Sequence, residues 1–204
     1  MSESKLVIAV DTGATKTVVS SFKDGSLTQL GRFPTDQDPQ QHVENIVRTV
    51  KEAELSTPPA AMGIGCPGPL DPESGTILEP PNLREWWGYP MAPQISKELG
   101  IPVRIENDAN VGALGEAVFG SGKNHSSTFY LTLSTGIGAG FVQNGRIWGG
   151  HNAMAGEVWA LDPGVFYGRF TGETILELAS GPGLIRSANR RIKFRHDCKL
   201  DPET

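Results

Sequence analysis

The chain has 204 residues, enough for one large domain or two small ones. Its 38% hydrophobic and 20% charged residues suit a soluble globule with a core, and a net charge of −5 with no basic cluster argues against a nucleic-acid surface. No apolar run approaches membrane-spanning length, Met1 to Lys5 is polar rather than signal-like, and Cys66 and Cys198 are too few for a disulfide framework or a four-cysteine zinc site. A cytoplasmic protein is expected, with neither nucleic acid nor membrane as partner. An anionic substrate stays compatible with the charge, because backbone N–H groups and a metal can hold phosphate.

Leu6 to Val10 is a continuous apolar, β-branched run that predicts a buried strand. It ends in Asp11-Thr12-Gly13-Ala14-Thr15-Lys16-Thr17, a polar hairpin. Strands over Val18 to Phe22 and Leu27 to Phe33, with a turn at Lys23 to Ser26, complete a meander. Asp38-Pro39 starts a helix, with Gln41 placed for a capping box and Val43, Ile46, Val47 and Val50 on one buried face. Another strand, Ala60 to Gly65, runs into a Cys66-Pro67-Gly68-Pro69-Leu70-Asp71 loop. Pro80 to Pro90 reads as irregular and carries Asn82, Trp86 and Trp87. Met91, Ile95 and Leu99 mark a short helix closed by Gly100.

Next comes Glu106-Asn107-Asp108-Ala109-Asn110, between an extended run (Ile101 to Ile105) and a small-residue helix (Ala109 to Phe119). The Asn-Asp pair is expected at a strand end, on the first turn of that helix. The helix dipole there favours an ionised carboxylate able to accept a proton, and Asn offers donor and acceptor groups to a polyhydroxylated ligand. The competing reading makes Asn107 or Asp108 only an N-cap, worth about 1 kcal/mol.

The pattern then starts again. Phe129 to Leu133 is a second apolar strand, ending in Ser134-Thr135-Gly136-Ile137-Gly138-Ala139-Gly140. Strands at Phe141 to Gln143 and Arg146 to Trp148 flank an Asn144-Gly145 turn. Thr12-Gly13 and Thr135-Gly136 hold the same place in the two copies, which predicts a duplicated α/β unit with two lobes facing across a cleft. The lobes are expected at residues 1–125 and 126–204. In the second copy a helix from Pro182 to Ile192 is expected, with Leu184, Ile185, Ala188 and Ile192 on one face. Later elements have no counterpart, so the second lobe reads as incomplete and the chain as a shortened version of a longer fold. Apolar surface is then expected to stay uncovered on Phe129 to Leu133 and on the helix from Pro182, with association as a homodimer one outcome.

Two glycine-bearing hairpins suit phosphate. Gly13 allows close backbone approach, and hydroxyls and N–H groups hold phosphate oxygens. Asp11 can take Mg²⁺ directly or through water. A polar hairpin with no ligand is the alternative. Gly136-x-Gly138-x-Gly140 is not a dinucleotide fingerprint, because its third glycine comes one residue early and a strand follows where a helix should begin.

Together these segments resemble the sugar kinases of the ROK group, within the actin and hexokinase superfamily. The Asp11-Thr12-Gly13-x-Thr15-Lys16-Thr17 hairpin resembles that family's first phosphate loop, and Ser134 to Gly140 resembles its second. Cys66 to Asp71 resembles its proline-glycine loop beside the sugar. Asn82-Leu83 resembles its substrate asparagine, Asn107 to Asn110 its catalytic segment, and Ala155-Gly156-Glu157 its sugar-binding glutamate. The resemblance implies a duplicated ribonuclease-H-like fold and transfer of the γ-phosphate of ATP to a hexose hydroxyl. It implies Asp108 as general base, with Gly68, Asn82, Asn107 and Glu157 at the sugar. Asp11, Thr12, Gly13, Thr15, Lys16, Thr17, Thr135, Gly136 and Gly138 would hold the nucleotide, with Mg²⁺ at Asp11.

Three positions depart from the family pattern. Ala160 stands where a histidine is usual, which leaves the sugar open. Gly164 to Gly172 has no cysteine where many members bind zinc, so no zinc is expected. Family chains also continue past this C-terminus, which leaves the activity of the shortened chain open. A sugar-responsive regulator and a sugar-binding but inactive chain are the competing functions. Regulators of the family carry a DNA-binding segment ahead of the first loop, where only Met1 to Ser4 stand here. Trp86 and Trp87 read either as sugar-stacking or as packing residues. Glu173 and Glu177 lie a residue off a further sugar-binding glutamate, and a solvated helix face is the alternative. Cys66 reads as a packing residue.

Overall fold

The structure, a computed structural model, describes residues 4–192 except 82, 135, 152, 154, 167, 168 and 171. It divides into two compact units, residues 1–111 and 112–204.

The first unit is built on β1 (Val7–Thr12), β2 (Lys16–Lys23), β3 (Ser26–Pro34), α1 (Pro39–Glu52) and β4 (Ala61–Cys66). There follow β5 (Leu70–Asp71), β6 (Thr76–Ile77), α2 (Met91–Leu99), β7 (Val103–Asn107) and the start of α3 (Asp108–Val118). Its main sheet has the order β3-β2-β1-β4-β7. The first three strands form the expected antiparallel meander, and β1, β4 and β7 run parallel.

Alternation decides which face is covered. Leu6, Ile8, Val10, Met62, Ile64, Cys66 and Ile105 are buried in one cluster with Val43, Ile46, Val47 and Val50 of α1 and Met91, Ala92 and Ile95 of α2. Every predicted apolar position of α1 is therefore inside. Its cap differs from expectation. The Asp38 side chain accepts from the amide of Gln40, and Gln41 instead donates down the helix to Asn45 at 3.4 Å, so no capping box forms. α2 closes as expected on Gly100 in the left-handed conformation.

Two stretches read as irregular carry structure. Leu70–Asp71 pairs with Thr76–Ile77, and Leu70 and Ile77 are buried. Arg84–Trp86 forms one 3₁₀ turn that carries Trp86 into the core.

The second unit holds β8 (Ser127–Leu133), β9 (Ile137–Gln143) and β10 (Arg146–Ile147) in the order β10-β9-β8, both pairs antiparallel. This reproduces the β3-β2-β1 meander and bears out the internal repeat. A hairpin of β11 (Val165–Phe166) and β12 (Arg169–Phe170), then α4 (Ile175–Ala179) and α5 (Gly181–Ile192), complete the described residues. Burial alternates along β8. Tyr130 packs on Gly112, where an added Cβ would lie 2.8 Å from the ring. Phe129, Leu131 and Leu133 point the other way and are 57%, 46% and 61% exposed. Leu184 and Ile185 of α5 are also exposed, so the apolar surface expected there is present. Among the described residues no helix is long and apolar enough to cross a membrane.

Candidate functional site

Three parallel strands of the first unit deliver their carboxyl ends side by side, the usual place for a ligand on an α/β sheet. β1 ends in Asp11-Thr12, β4 runs out through Cys66 into the Gly68 loop, and β7 ends at Asn107, where α3 begins at once with Asp108. The register sets Asp11 and Glu106 on either side of Gly65, and pairs Cys66 with Asn107. Gly65 leaves space above the sheet: a Cβ there would lie 3.7–3.8 Å from Val111 and from the Asp108 Cα.

The junction sorts its two polar residues into different roles. Asn107 Oδ1 accepts from the amides of Ala109 at 2.9 Å and Asn110 at 3.3 Å, which makes Asn107 the helix cap. Asp108 shares the Ala109 amide at 2.9 Å and remains exposed. Its pKa is nevertheless raised, first because the surrounding protein desolvates the carboxyl and also because Asp11 is negative. The Ala109 amide opposes both effects. The helix-dipole expectation favoured ionisation, and desolvation outweighs it. The result is a more basic carboxylate. At the same corner, burial and then the Asp108 charge push the Cys66 thiol far up. Cys66 is thus a protonated packing residue.

In the first hairpin, Gly13 donates to the Lys16 carbonyl at 2.9 Å. Asp11, Thr15 and Lys16 are exposed, and Gly13 and Ala14 are half-buried between them. Thr12 and Thr17 turn inward and are fully buried. Thr12 Oγ1 has no partner, whereas Thr17 Oγ1 meets Thr35 Oγ1 at 3.0 Å. Asp11 and Asp108 are two carboxylates at one sheet edge, and Mg²⁺ commonly takes one or two carboxylates and keeps its waters. The exposed Asp11 carboxylate is a donor that fits this ion. Among the described residues no group of three or more His, Cys, Asp or Glu is gathered for a metal.

The proline-glycine loop reaches the same place. A Cβ on Gly68 would come within 3.2 Å of Asn107 Nδ2, so the loop rests on the capping side chain. Asn82 lies outside the described residues. Trp86 is buried, its indole donating to the carbonyls of Asp36 and Gln37, while Trp87 is half exposed and donates to Pro80. Trp86 is thereby a packing residue.

In the second unit, Gly136 forms the tip between β8 and β9, accepting from the Ser134 amide at 2.9 Å, and Gly138 lies in β9 opposite Thr132. Thr135 lies outside the described residues. Glu157 is half-buried and accepts from the Trp159 indole. It follows Gly156, which has φ +95° and sits so near β9 that a Cβ would lie 2.6 Å from the Ala139 carbonyl. Only glycine meets both demands. Ala160 is exposed. Glu177 closes a capping box with Thr174 on α4, and Glu173 pairs with Arg190 at 3.1 Å.

Sequence reading passed over two supports of this site. Glu106 Oε1 accepts from the Asn107 amide at 2.8 Å and from the buried Asn110 at 3.0 Å, which ties the last strand residues to the first helical turn. Their four-residue spacing across the junction was the available signal. Thr35 and His42, behind the first hairpin, carry no local signal.

The ROK family matches residues 7–160. A glucokinase of Streptomyces coelicolor is 32% identical over 190 residues, 91% of this chain and 60% of the relative. The chain thus spans about 60% of the length of that curated relative. A xylose repressor of Caldicellulosiruptor bescii is 40% identical over 115 residues, 55% of this chain and 28% of the repressor. A ROK glucokinase from Streptomyces griseus, solved in complex with glucose and AMPPNP, superposes with a TM-score of 0.75 at 30% identity, covering 94% of this chain and 62% of that one. The fold is accordingly that of the actin and hexokinase type, and the chain belongs to the ROK family.

Proposed function

We propose that the chain serves as a sugar kinase, moving the γ-phosphoryl group of ATP to a hydroxyl of a hexose. One observation carries the reading. Asn107 takes the capping role at the β7–α3 junction, and Asp108 is left as an exposed carboxylate of raised basicity. Such a group accepts the hydroxyl proton as the sugar oxygen forms its bond to the γ-phosphorus and ADP departs. Asn107 and the Gly68 loop would orient the sugar, with Asn82 and Glu157 holding further hydroxyls. Sites that hydrogen-bond hydroxyls discriminate well, because an analogue without them leaves buried groups unpaired. The exposed hairpin residues Thr15 and Lys16, with the Ala14 amide of the tight turn at Gly13, would hold phosphate oxygens, as would Gly136 and Gly138. Asp11 would hold Mg²⁺, which neutralises phosphate charge when bound. Likeness to the glucokinases of known sequence and structure supports this function.

The likeness to the xylose repressor favours a second reading, sugar binding without turnover. A panel of hexoses and amino sugars with ATP and Mg²⁺, monitored for ADP release and for binding, separates the two. Sugar-dependent ADP release is expected. Binding without ADP release would favour the second reading, and no binding at all would remove both.

A further inference from the structure

Behind the first hairpin lies a run of buried hydroxyl and imidazole groups that the proposed chemistry does not use. Thr35, directly after β3, is 9% exposed, and Thr17 and His42 are fully buried. Thr35 Oγ1 donates to the Gly13 carbonyl at 2.7 Å, and the Thr35 amide donates to the Thr15 carbonyl at 3.1 Å. A hydroxyl has one proton. Since Thr35 gives its proton to Gly13, the 3.0 Å contact between the two hydroxyls is donated by Thr17. Thr17 in turn can only accept at its 3.5 Å contact with His42 Nε2. This assigns His42 the neutral tautomer with the proton on Nε2. Nδ1, which is buried without a partner, is then the bare nitrogen, so no buried N–H is left unpaired. All three donors then point one way, from imidazole to hydroxyl to hydroxyl to the hairpin carbonyl, an arrangement in which each bond polarises the next.

The far end is anchored too. His42 packs at a tilt against Trp86, 4.7 Å between ring centroids, and the Trp86 indole holds the Asp36 and Gln37 carbonyls just after Thr35. A trans peptide sets its C=O and N–H on opposite sides. Drawing the Gly13 carbonyl inward therefore turns the Ala14 N–H away from the core.

We propose that Thr35 is a positioning residue for nucleotide phosphate, holding the Gly13–Thr15 turn through the Thr17–His42 chain so that the Ala14 amide faces outward. The proposal rests on the kinase reading of that hairpin. Thr35→Val keeps the shape and removes the hydroxyl, and Thr35→Ser keeps the hydroxyl. Three quantities are measured on each: amide hydrogen exchange over residues 13–16, affinity for ATP-Mg²⁺, and affinity for the hexose. In Thr35→Val, exchange should quicken and ATP affinity fall about tenfold, the order of one lost buried hydrogen bond, with hexose affinity unchanged. Thr35→Ser should restore both. If Thr35→Val does not fold, Thr35→Ala replaces it with the same readouts. Unchanged ATP affinity, or an equal loss for ATP and hexose, would overturn the positioning role. A wild-type chain that binds no ATP would instead overturn the kinase reading of the hairpin, while the exchange data still decide whether Thr35 holds the turn.

Discussion

The negative charge of Asp11 reaches Asp108 and, added to desolvation, raises its pKa. Asp11 lies at the end of β1 and Asp108 opens the helix that follows β7, two strands that are not neighbours, and the side-chain-free Gly65 of β4 lies between them. Asp108→Asn should lower turnover by roughly 10²–10⁴ while hexose affinity stays within a few-fold, since a general base is lost and the sugar contacts are not. Near wild-type turnover in that variant would make Asp108 a structural residue and remove the mechanism.

The pH dependence follows from the same pair. Activity should fall on the acid side as Asp108 is protonated, because only the carboxylate form accepts a proton. Asp11→Asn removes one of the influences that raise this pKa. The acid limb of the kcat profile should therefore move to lower pH in that variant, alongside a higher Mg²⁺ requirement. A limb that stays in place would show that the two carboxylates do not communicate.

Gly68→Ala tests whether the proline-glycine loop positions Asn107. The added methyl would press on Asn107 Nδ2 from 3.2 Å, tighter than ordinary contact. The side chain that caps α3 would have to give way. The expected result is a KM for the sugar raised about tenfold, the equivalent of roughly 1.4 kcal/mol, with a much smaller change for ATP. Equal kinetics for the variant and the wild type would detach this loop from the sugar.

His42 provides a stability prediction. Burial lowers its pKa from 6.5 to about 4, and the charge of Asp36 opposes the shift only in part. Between those values the unfolded chain binds a proton that the folded chain refuses. The stability is full above pH 6.5 and falls as pH drops toward 4, by up to about 3 kcal/mol. An imidazole NMR titration checks this directly. A His42 that titrates near 6.5 in the folded protein would contradict the shift.

What could be read from the sequence was whatever a short window contains. The apolar run of β1, the buried stripe of α1 and the strand-to-helix change at Asn107-Asp108 each declare themselves within about ten residues, because period and capping chemistry are local. Trp86 and Trp87 show the limit. They are adjacent and chemically identical, yet one is fully buried and the other half exposed, a difference set by a single 3₁₀ turn and two distant carbonyls. The Thr35–Thr17–His42 chain joins residues 18 and 25 positions apart, so no spacing rule finds it. The sign of the Asp108 shift was also hidden. Helix dipole is visible in sequence, and desolvation is not.

The repeat makes the last prediction. In the first unit β1 is paired on both edges, by β2 and by β4. Its counterpart β8 pairs only with β9 among the described residues, and Phe129, Leu131 and Leu133 on one of its faces are exposed. An open apolar edge strand is a template for pairing with another chain. Leaving even a few hundred Å² of apolar surface uncovered forfeits several kcal/mol at about 25 cal/mol per Å², comparable with the whole stability of a domain. The 204-residue chain should therefore be weakly stable as a monomer and self-associate with rising concentration. Leu131→Lys, which places a charge on that face without touching the Tyr130 side, should suppress the association measured by sedimentation. A wild-type chain that stays monomeric at about 100 μM, binds no hydrophobic dye and melts like an ordinary mesophilic domain would show that this surface carries no cost.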